Sequence, residues 1–348
     1  MAVKLKDIAS ELNLSVPLIS QVLNGNAKQL KIKKETAALV TKKAKELGYV
    51  SNKIARGLRT KRTNTIALLT PDLADPFFAQ IAKVVQNELH RLGYNLMVLE
   101  SHDETSKEIE EINLLEANGI DGMLIIPVGD EYLHIENLSK KNYPVVLLYR
   151  TFKEIDANTI TIEHYINSFT IVSSLIEKGH TKIGLLQGKS IRFANSERLR
   201  GYKDALKKNN IDFIDDYIIK KGFYRQHGYK GTKQLLSLPS PPTALILNSD
   251  LQTLGSLQAI KENKLKIPDD IVLVATNILH IERSLFVPIS TVCHPVEELG
   301  KIAVKTLLDD INNSGKNKKV KVVLKSKLNI DGSVYLLDFS KNNKISIQ

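Results

Sequence analysis

The sequence has one cysteine, Cys293, among its 348 residues. A single cysteine cannot form an internal disulfide bond, and structural disulfides are typical of oxidising compartments. The sequence also lacks the succession of charged, apolar and small residues that forms a signal peptide, and it has no uncharged apolar run near the ~20 residues that span a bilayer. These absences together predict a cytoplasmic protein that does not insert into a membrane.

Motifs for catalysis and for metal binding are absent as well. The sequence contains no Walker-type glycine loop, no G-x-S-x-G, no H-E-x-x-H and no C-x-x-C. His294 has no second histidine or cysteine at the spacing that metal ligands need, so neither a metal nor a cofactor is predicted. An enzyme therefore has no support in the sequence beyond the α/β pattern described below.

Positive charge is concentrated at the N-terminal end of the chain. Residues 1–62 hold 14 Lys or Arg against 4 Asp or Glu, a net charge of +10, whereas the net charge of the whole chain is +11. An ordinary solvated surface would spread this excess over the whole chain. A basic N-terminal segment on a nearly neutral body instead indicates contact with phosphates, so nucleic acid is the favoured partner.

The stretch KLKDIASELNLSVPLISQVLNG, which begins at Lys4, has the pattern of a helix-turn-helix. Asn13 lies where the chain must turn sharply, and asparagine tolerates the left-handed conformation of such a turn. Ser15 is a natural N-cap for the second helix. Taken alone, the pattern fits a DNA-binding motif and an ordinary helical hairpin equally well. The charge distribution favours the DNA-binding motif.

A third helix is predicted from about Glu35 to Leu47, and it would complete a three-helix headpiece. The next stretch, residues 51–62 (SNKIARGLRTKR), is a linker that contains a conditional helix. Asn52 could cap this helix, but about eight residues are too few for a stable isolated helix. Gly57 weakens it by a further ~0.8–1 kcal/mol relative to alanine. Two interpretations stay open: a flexible basic tether, and a segment that folds only on DNA.

From Thr65 onward, short apolar strands alternate with amphipathic helices. Near-continuous apolar strands of this kind indicate parallel sheets that are covered on both faces. Two such α/β units in tandem can enclose a ligand between the carboxyl ends of their strands. The predicted strands are Thr65–Thr70, Asn95–Leu99, Met123–Ile126, Val145–Leu148, Lys182–Leu186, Ala244–Asn248, Ile271–Thr276 and Val320–Leu324.

Several stretches occur in an order and spacing that together are highly specific. Besides the helix-turn-helix they are ETAALVTKKAKELGYVSNKIARGLRTKRTNTIALLTPDLADPFF, LEANGIDGMLIIP, KGHTKIGLLQG, ERLRGYKDAL, PTALILNSD, IPDDIVLV and PISTVCHPVEELGKIAV. With them the chain resembles the LacI/GalR family of transcription regulators over nearly its full length. The resemblance implies a homodimer with a DNA-binding headpiece, a hinge helix, and a two-lobed effector core like that of periplasmic sugar-binding proteins.

The resemblance also implies boundaries for these domains. The helix-turn-helix headpiece would occupy residues 1–50, the hinge residues 51–62 and the core residues 63–348. The chain would cross between the lobes near Ile162, Thr291 and Ser326. The N-lobe would then hold about 63–162 and 292–325, and the C-lobe about 163–290 and 326–340. The tail beyond Val334 is too short for the three or more heptads of a tetramerising coiled coil, which favours a dimer.

Residues that contact DNA in the family can be carried over to matching positions. Val16, Pro17 and Gln21 match the base-reading positions, where many members have two polar or small residues and an arginine. Glutamine can pair with adenine, and valine or proline can touch a thymine methyl group, so an unusual operator is expected. In the hinge, Leu58 matches the leucine that enters the minor groove and kinks the DNA. Further DNA contacts are expected at Lys4, Ser15, Ser20, Asn24, Asn52, Ala55, Arg56, Arg59 and Lys61.

Effector-binding positions carry over in the same way. They fall on Phe77, Arg150, Arg198, Asp250, Asn277 and His294. An aromatic platform with arginines and a carboxylate suits a small polyhydroxylated ligand. Other roles stay open for some of these residues: Phe77 could belong to the core, and Arg150 and Asp250 could form surface ion pairs. Asn277 replaces a usual aspartate, and the pair Cys293 and His294 replaces a more usual polar pair that contains glutamine, so the ligand could differ from a common sugar.

The sequence therefore predicts a transcription regulator, most simply a repressor, that binds a pseudo-palindromic operator as a homodimer. It would be cytoplasmic and nucleoid-associated, and a sugar or related metabolite would control it allosterically. A transport-associated sugar-binding protein would need a signal peptide and would not need a basic headpiece. The remaining alternative is a DNA-binding regulator whose core only dimerises or responds to a protein partner.

Overall fold

The structure is a computed structural model that describes residues 3–49, 62–188, 193–276, 289–313 and 318–329. The chain divides into two compact units, and the division falls between Thr63 and Asn64. The first unit contains the three N-terminal helices. The second contains the two α/β sheets.

The N-terminal unit consists of α1 (Leu5–Leu12), α2 (Val16–Leu23) and α3 (Lys34–Glu46). Its small core combines one apolar stripe from each helix, because residues three and four apart in a helix share a face. The buried side chains of this core are Ile8, Ala9, Ile19, Val22, Val40 and Ala44.

The turn between α1 and α2 has the expected backbone. Asn13 has a φ of 51°, in the left-handed region, and it follows the last residue of α1. The hydroxyl oxygen of Ser15 accepts a hydrogen bond from the backbone N–H of Leu18 at 3.4 Å and caps α2. Asp7 accepts a bond from the backbone N–H of Lys4 at 2.7 Å, which closes the start of α1. The prediction of a helix-turn-helix is confirmed.

The second unit contains two six-stranded sheets, each flanked by helices. The first sheet contains β1 (Thr65–Thr70), β2 (Asn95–Glu100), β3 (Gly122–Ile125), β4 (Val145–Tyr149), β5 (Asn158–Ile162) and β11 (Lys321–Leu324). The second contains β6 (Ile183–Gln187), β7 (Ile218–Lys220), β8 (Ala244–Leu247), β9 (Val272–Thr276), β10 (Ser290–Cys293) and β12 (Lys327–Asn329). The helices are α4 (Pro76–Arg91), α5 (Thr105–Ala117), α6 (Leu133–Lys140), α7 (His164–Glu177), α8 (Phe193–Lys208), α9 (Arg225–Leu236), α10 (Asp250–Glu262) and α11 (Val296–Asn312).

The strand orders are β11-β5-β4-β3-β1-β2 and β12-β10-β9-β8-β6-β7. All neighbouring strands in these sheets are parallel except β10 and β12, which are antiparallel. Each sheet has a separate apolar cluster on each face, which is why its central strands are buried along their length. The predicted α/β class with parallel sheets is confirmed.

Four strands were not recognised in the sequence: β5, β7, β10 and β12. In β5, alternating threonines hide the apolar run, although the strand is buried. Thr161 is tolerated there because its hydroxyl donates to the carbonyl oxygen of Tyr149 at 2.9 Å. The other three strands have only three or four residues, too few for a clear pattern.

The polypeptide passes between the two sheets after Ile162, after Cys293 and after Leu324. The first and third crossings lie close to the expected positions. The second was expected near Thr291, but β10 pairs with β9 through Val292 and with β12 through Cys293, so the chain leaves the second sheet slightly later. We call the part built on the first sheet the N-lobe and the part built on the second sheet the C-lobe.

Candidate functional site

A buried pocket lies between the carboxyl ends of the two sheets, where open α/β folds usually bind ligands. About 580 Å³ of free space lies among its lining residues, part of it open to solvent. Five of the six predicted effector residues line it: Phe77, Arg150, Arg198, Asp250 and His294. The sixth, Asn277, lies outside the described residues.

Aromatic rings form one wall of this pocket. Phe77 packs against Tyr149 with ring centroids 4.6 Å apart, and against His294 at 5.7 Å. The carboxylate of Asp75 accepts a bond from the backbone N–H of Phe77 at 2.9 Å, and this cap fixes the start of α4. Phe77 belongs to an apolar cluster of the N-lobe and also lines the pocket, so the two roles considered for it coexist.

Tyr149 is one of several pocket-lining residues that the sequence did not reveal. It is 7% exposed and has a φ of 65°, although it is bulky. The backbone N–H of Arg150 donates to the carbonyl oxygen of Leu148 at 2.6 Å, which closes a tight turn around Tyr149. Such a conformation costs ~1–3 kcal/mol and is common at binding sites. The only signal in the sequence was the position of Tyr149 between a predicted strand and the predicted ligand residue Arg150.

The hydroxyl oxygen of Tyr149 bonds across the cleft to Arg198. The Nη2 group of Arg198 donates to it at 2.7 Å, and Nη1 donates to Oδ1 of Asn195 at 3.3 Å. Arg198 lies on α8 of the C-lobe and is 6% exposed. Its guanidinium group therefore already joins the two lobes through a charge-assisted hydrogen bond.

Arg150 is fixed within the N-lobe. Its Nη1 group donates to Oδ1 of Asp103 at 3.3 Å and to the carbonyl oxygen of Pro127 at 3.2 Å. The guanidinium group lies 5.5 Å from the ring centroid of Phe78. Arg150 thus forms an ion pair, as one interpretation of the sequence allowed, but it is buried and lines the pocket.

The opposite wall of the pocket is built at the start of α10. The hydroxyl oxygen of Ser249 accepts from the backbone N–H of Gln252 at 3.1 Å, and the same hydroxyl donates to the carbonyl oxygen of Phe223 at 2.6 Å. This cap holds the buried carboxylate of Asp250 in the first turn of the helix. A carboxylate in that turn is stabilised by the helix dipole.

Two buried histidines have lowered pKa values: His294, which lines the pocket, and His164, which packs against Tyr149. Burial, and then the positive charge of Arg198, lower the pKa of His294 to about 3. The same two causes, in the same order, hold the pKa of His164 well below its usual value. Near neutral pH both imidazoles therefore act as neutral hydrogen-bonding groups beside the guanidinium.

Burial shifts the pKa of the Asp75 carboxyl group, at the mouth of the pocket, upward rather than downward. The hydrogen bond from the backbone of Phe77 opposes this shift. A second chamber of about 810 Å³ begins here and shares Asp75, Phe78, Arg150 and Phe223 with the inner pocket. Tyr224 lines this outer chamber, and burial raises the pKa of its phenol to about 12.

In the N-terminal unit, the predicted DNA contacts share one side of α2. Val16 is 41% exposed, Pro17 is exposed, and Ser20, Gln21 and Asn24 are half-buried. The carbonyl oxygen of the Gln21 side chain accepts from the amide of Asn26 at 2.7 Å, and the amide of Asn24 donates to the hydroxyl oxygen of Ser20 at 3.2 Å. Lys4, before α1, and Ser15, before α2, are also exposed. The hinge residues Asn52, Ala55, Arg56, Leu58, Arg59 and Lys61 lie outside the described residues.

Two features are absent from the part of the chain that the structure describes. No helix there is long and apolar enough to cross a bilayer. Within the same ranges, no group of three or more His, Cys, Asp or Glu side chains could hold a metal ion.

A helix-turn-helix, formed by α1 and α2, and a pocket between two α/β lobes are together typical of a ligand-responsive DNA-binding protein. Residues 63–328 match the model of the periplasmic binding proteins and sugar binding domain of the LacI family. The chain belongs to the LacI family, as the sequence predicted, and it is a DNA-binding transcription regulator of this type.

The chain is 31% identical to the ribose operon repressor of Haemophilus influenzae over 96% of this chain and 99% of that protein. It is 27% identical to catabolite control protein A of Priestia megaterium over 90% of this chain and 93% of that protein. A complex of the transcriptional regulator CelR with cellobiose has the same fold, with a TM-score of 0.71 and 23% identity over 95% of this chain and 99% of that one. The first of these proteins is named as a repressor and the third as a transcriptional regulator.

Proposed function

We propose that the protein is a homodimeric repressor that reads a pseudo-palindromic operator and changes its operator affinity when a small sugar-like ligand binds between the lobes. The observation that carries this proposal is the convergence of five predicted ligand residues on one buried pocket. Phe77 and Asp250 lie at the starts of α4 and α10, Arg150 and His294 directly follow β4 and β10, and Arg198 lies on α8, so only the folded two-lobed core brings them together.

Sequence would be read by the exposed side of α2. Val16 and Pro17 would contact apolar groups of the major groove, and Gln21 would turn from Asn26 to pair with adenine. Lys4, Ser15, Ser20 and Asn24 would contact phosphates, which position the headpiece without reading bases. In a homodimer, two such helices would read two inverted half-sites.

The domain boundaries given above are part of the proposal. Residues 1–50 would form the headpiece, 51–62 a hinge whose Leu58 enters the minor groove, and 63–348 the effector core. Asn52, Ala55, Arg56, Arg59 and Lys61 would hold the hinge on the DNA. The protein would act in the cytoplasm, bound to the nucleoid, and it would carry out no catalysis.

The ligand would be a neutral, polyhydroxylated molecule. Arg150 and Arg198 balance Asp75 and Asp250 in the lining, so the pocket does not select strongly for either sign of charge. Its aromatic wall suits the apolar face of a sugar ring, and the polar groups suit its hydroxyls. D-ribose is the first candidate, because the ribose operon repressor is similar over nearly the full chain. Cellobiose, which is bound in the CelR complex, tests for a larger ligand.

The DNA half of the proposal is tested by selecting bound duplexes from a random pool at near-physiological salt, where non-specific binding is weak. An enriched site with two inverted half-sites is expected. Q21A should relax the preference at one base pair of each half-site by ~1–3 kcal/mol. K4A, the matched phosphate-contact variant, should weaken binding to all sequences alike. Folded dimeric protein that enriches no sequence would contradict operator reading.

The ligand half is tested by thermal unfolding with D-ribose, cellobiose and sucrose. A ligand at 100 times its Kd stabilises the folded state by about 2.7 kcal/mol. In a core of this size the melting temperature should then rise by about 5–10 °C. D250N should remove most of this rise. A core that only dimerises, or that responds to a protein partner, would show no rise with any small molecule.

A further inference from the structure

The three segments that connect the lobes are joined to one another by polar side chains. Asn167 lies on α7 after the first crossing, His294 follows β10 at the second crossing, and Ser326 lies between β11 and β12 at the third. The amide of Asn167 donates to the hydroxyl oxygen of Ser326 at 2.9 Å, and Nδ1 of His294 lies 2.9 Å from the same oxygen. One hydroxyl therefore bridges the other two segments.

One end of this bridge reaches the pocket. The imidazole of His294 lines the cavity, with its ring centroid 5.7 Å from that of Phe77 and 5.8 Å from that of Tyr149. Neither Asn167 nor Ser326 lines the inner pocket. The His294 ring, which is hydrogen-bonded to the third crossing, is therefore adjacent to the aromatic surface on which a ligand would pack.

The direction of the hydrogen bonds follows from the donors present. Ser326 has one hydroxyl proton, and its oxygen already accepts from the Asn167 amide. The proton can then be donated to Nδ1 of His294, provided that this nitrogen is unprotonated. It is unprotonated in the tautomer with hydrogen on Nε2, and burial beside Arg198 keeps the ring neutral by lowering its pKa to about 3. In that tautomer His294 carries its one N–H on Nε2.

We propose that Asn167, Ser326 and His294 form a relay that transmits ligand binding in the pocket to the lobe crossings, with Asn167 and Ser326 acting as positioning residues for the response. A ligand that holds the His294 ring in place preserves the bridge, and a ligand that rotates the ring breaks it. Only the loss of the bridge changes the restraint on the relative orientation of the lobes. This inference rests on the proposed function, because its output is operator affinity.

The relay is independent of ligand identity, so it can be tested first on ligand-free protein. S326T keeps the hydroxyl, and S326V has the same shape without it. The full-length variants are titrated against the operator obtained by selection and against a scrambled duplex. We expect S326V and N167L to change operator affinity by at least ~5-fold, the lower end of typical couplings between sites. S326T should stay within twofold of the parent, and affinity for the scrambled duplex should be unchanged in all variants.

The matched control is S256A. Ser256 also shares a buried hydrogen bond, at 2.8 Å from Thr232, but it joins α9 to α10 within the C-lobe. Loss of this hydrogen bond should lower the free energy of unfolding and leave the operator affinity within twofold of that of the parent. If S326V behaves like S326T, or if S256A shifts operator affinity as much as S326V does, the relay is wrong.

A second readout needs no DNA. Nζ of Lys153 in the N-lobe lies 3.3 Å from Oε1 of Glu197 in the C-lobe. In a C293S background, the disulfide of K153C/E197C should form at a rate that reports the separation of the lobes. We expect S326V to change this rate at least ~5-fold, whereas S326T and S256A leave it unchanged. A parent that does not recognise an operator would refute the proposed function, and the disulfide rate would still decide the relay. An unchanged rate in S326V would refute the relay.

Discussion

Replacing Tyr149 with phenylalanine should weaken the connection between the lobes without disturbing the aromatic wall. The ring stays in contact with Phe77, and only the hydroxyl that accepts from Arg198 at 2.7 Å is lost. A hydrogen bond to a charged group contributes ~1.5–3 kcal/mol, and its loss here leaves a buried guanidinium N–H without this acceptor. We expect Y149F to lower the free energy of unfolding by about 2 kcal/mol, and the melting temperature by about 4–8 °C.

The matched control is Y202F. Tyr202 is also buried, and its hydroxyl donates to the carbonyl oxygen of Ile183 at the same distance of 2.7 Å. Because both partners in that bond are neutral, its loss should cost only ~0.5–1.5 kcal/mol. Chemical denaturation of parent, Y149F and Y202F, followed by circular dichroism, measures both losses. If Y149F lowers the free energy of unfolding no more than Y202F does, the hydrogen bond from Arg198 to Tyr149 is no stronger than a neutral one.

Three further predictions concern stability. Burial holds the pKa of His164 well below its value in the unfolded chain, so the unfolded state binds a proton more readily as the pH falls. The free energy of unfolding should therefore be highest above about pH 6.5 and should fall below it by up to ~1.4 kcal/mol per pH unit. Denaturation at pH 7.5 and pH 5 should show a smaller loss in H164Q than in the parent, and equal losses would contradict this. G255A should lower the free energy of unfolding by ~1–3 kcal/mol, because a Cβ atom there would overlap the backbone of Arg225 and force α9 away from α10. A loss below about 0.5 kcal/mol would refute this tight packing. Asn13 has a φ of 51°, so N13V should destabilise the headpiece by ~1–2 kcal/mol and N13G should not, as measured by thermal unfolding of the helical signal; equal effects would argue against the left-handed turn.

Much of the fold was predictable from the sequence because its signals are local. The strands of both sheets are apolar runs, and Asn13 and Ser15 are placed where turn and cap chemistry require them. Strands β7 and β12 were not predictable, since each has three residues and is defined by its neighbours rather than by its own pattern.

The pocket was predictable only in part. Phe77, Arg150 and Asp250 were found through positions shared with a family, and the fold brings them together. Tyr149 was missed because its role depends on a left-handed backbone and on a partner 49 residues away, Arg198. The bridge through Ser326 was missed for the same reason, because it joins three segments that are distant in the chain.

Ligand control of operator binding is the central claim, and one titration tests it most directly. The operator Kd of the full-length parent and of D250N is measured with and without the sugar that most raises the melting temperature of the parent. The account predicts a change of ~5- to 150-fold in the parent and less than twofold in D250N. A sugar that stabilises the core and leaves the operator Kd of the parent unchanged would contradict it.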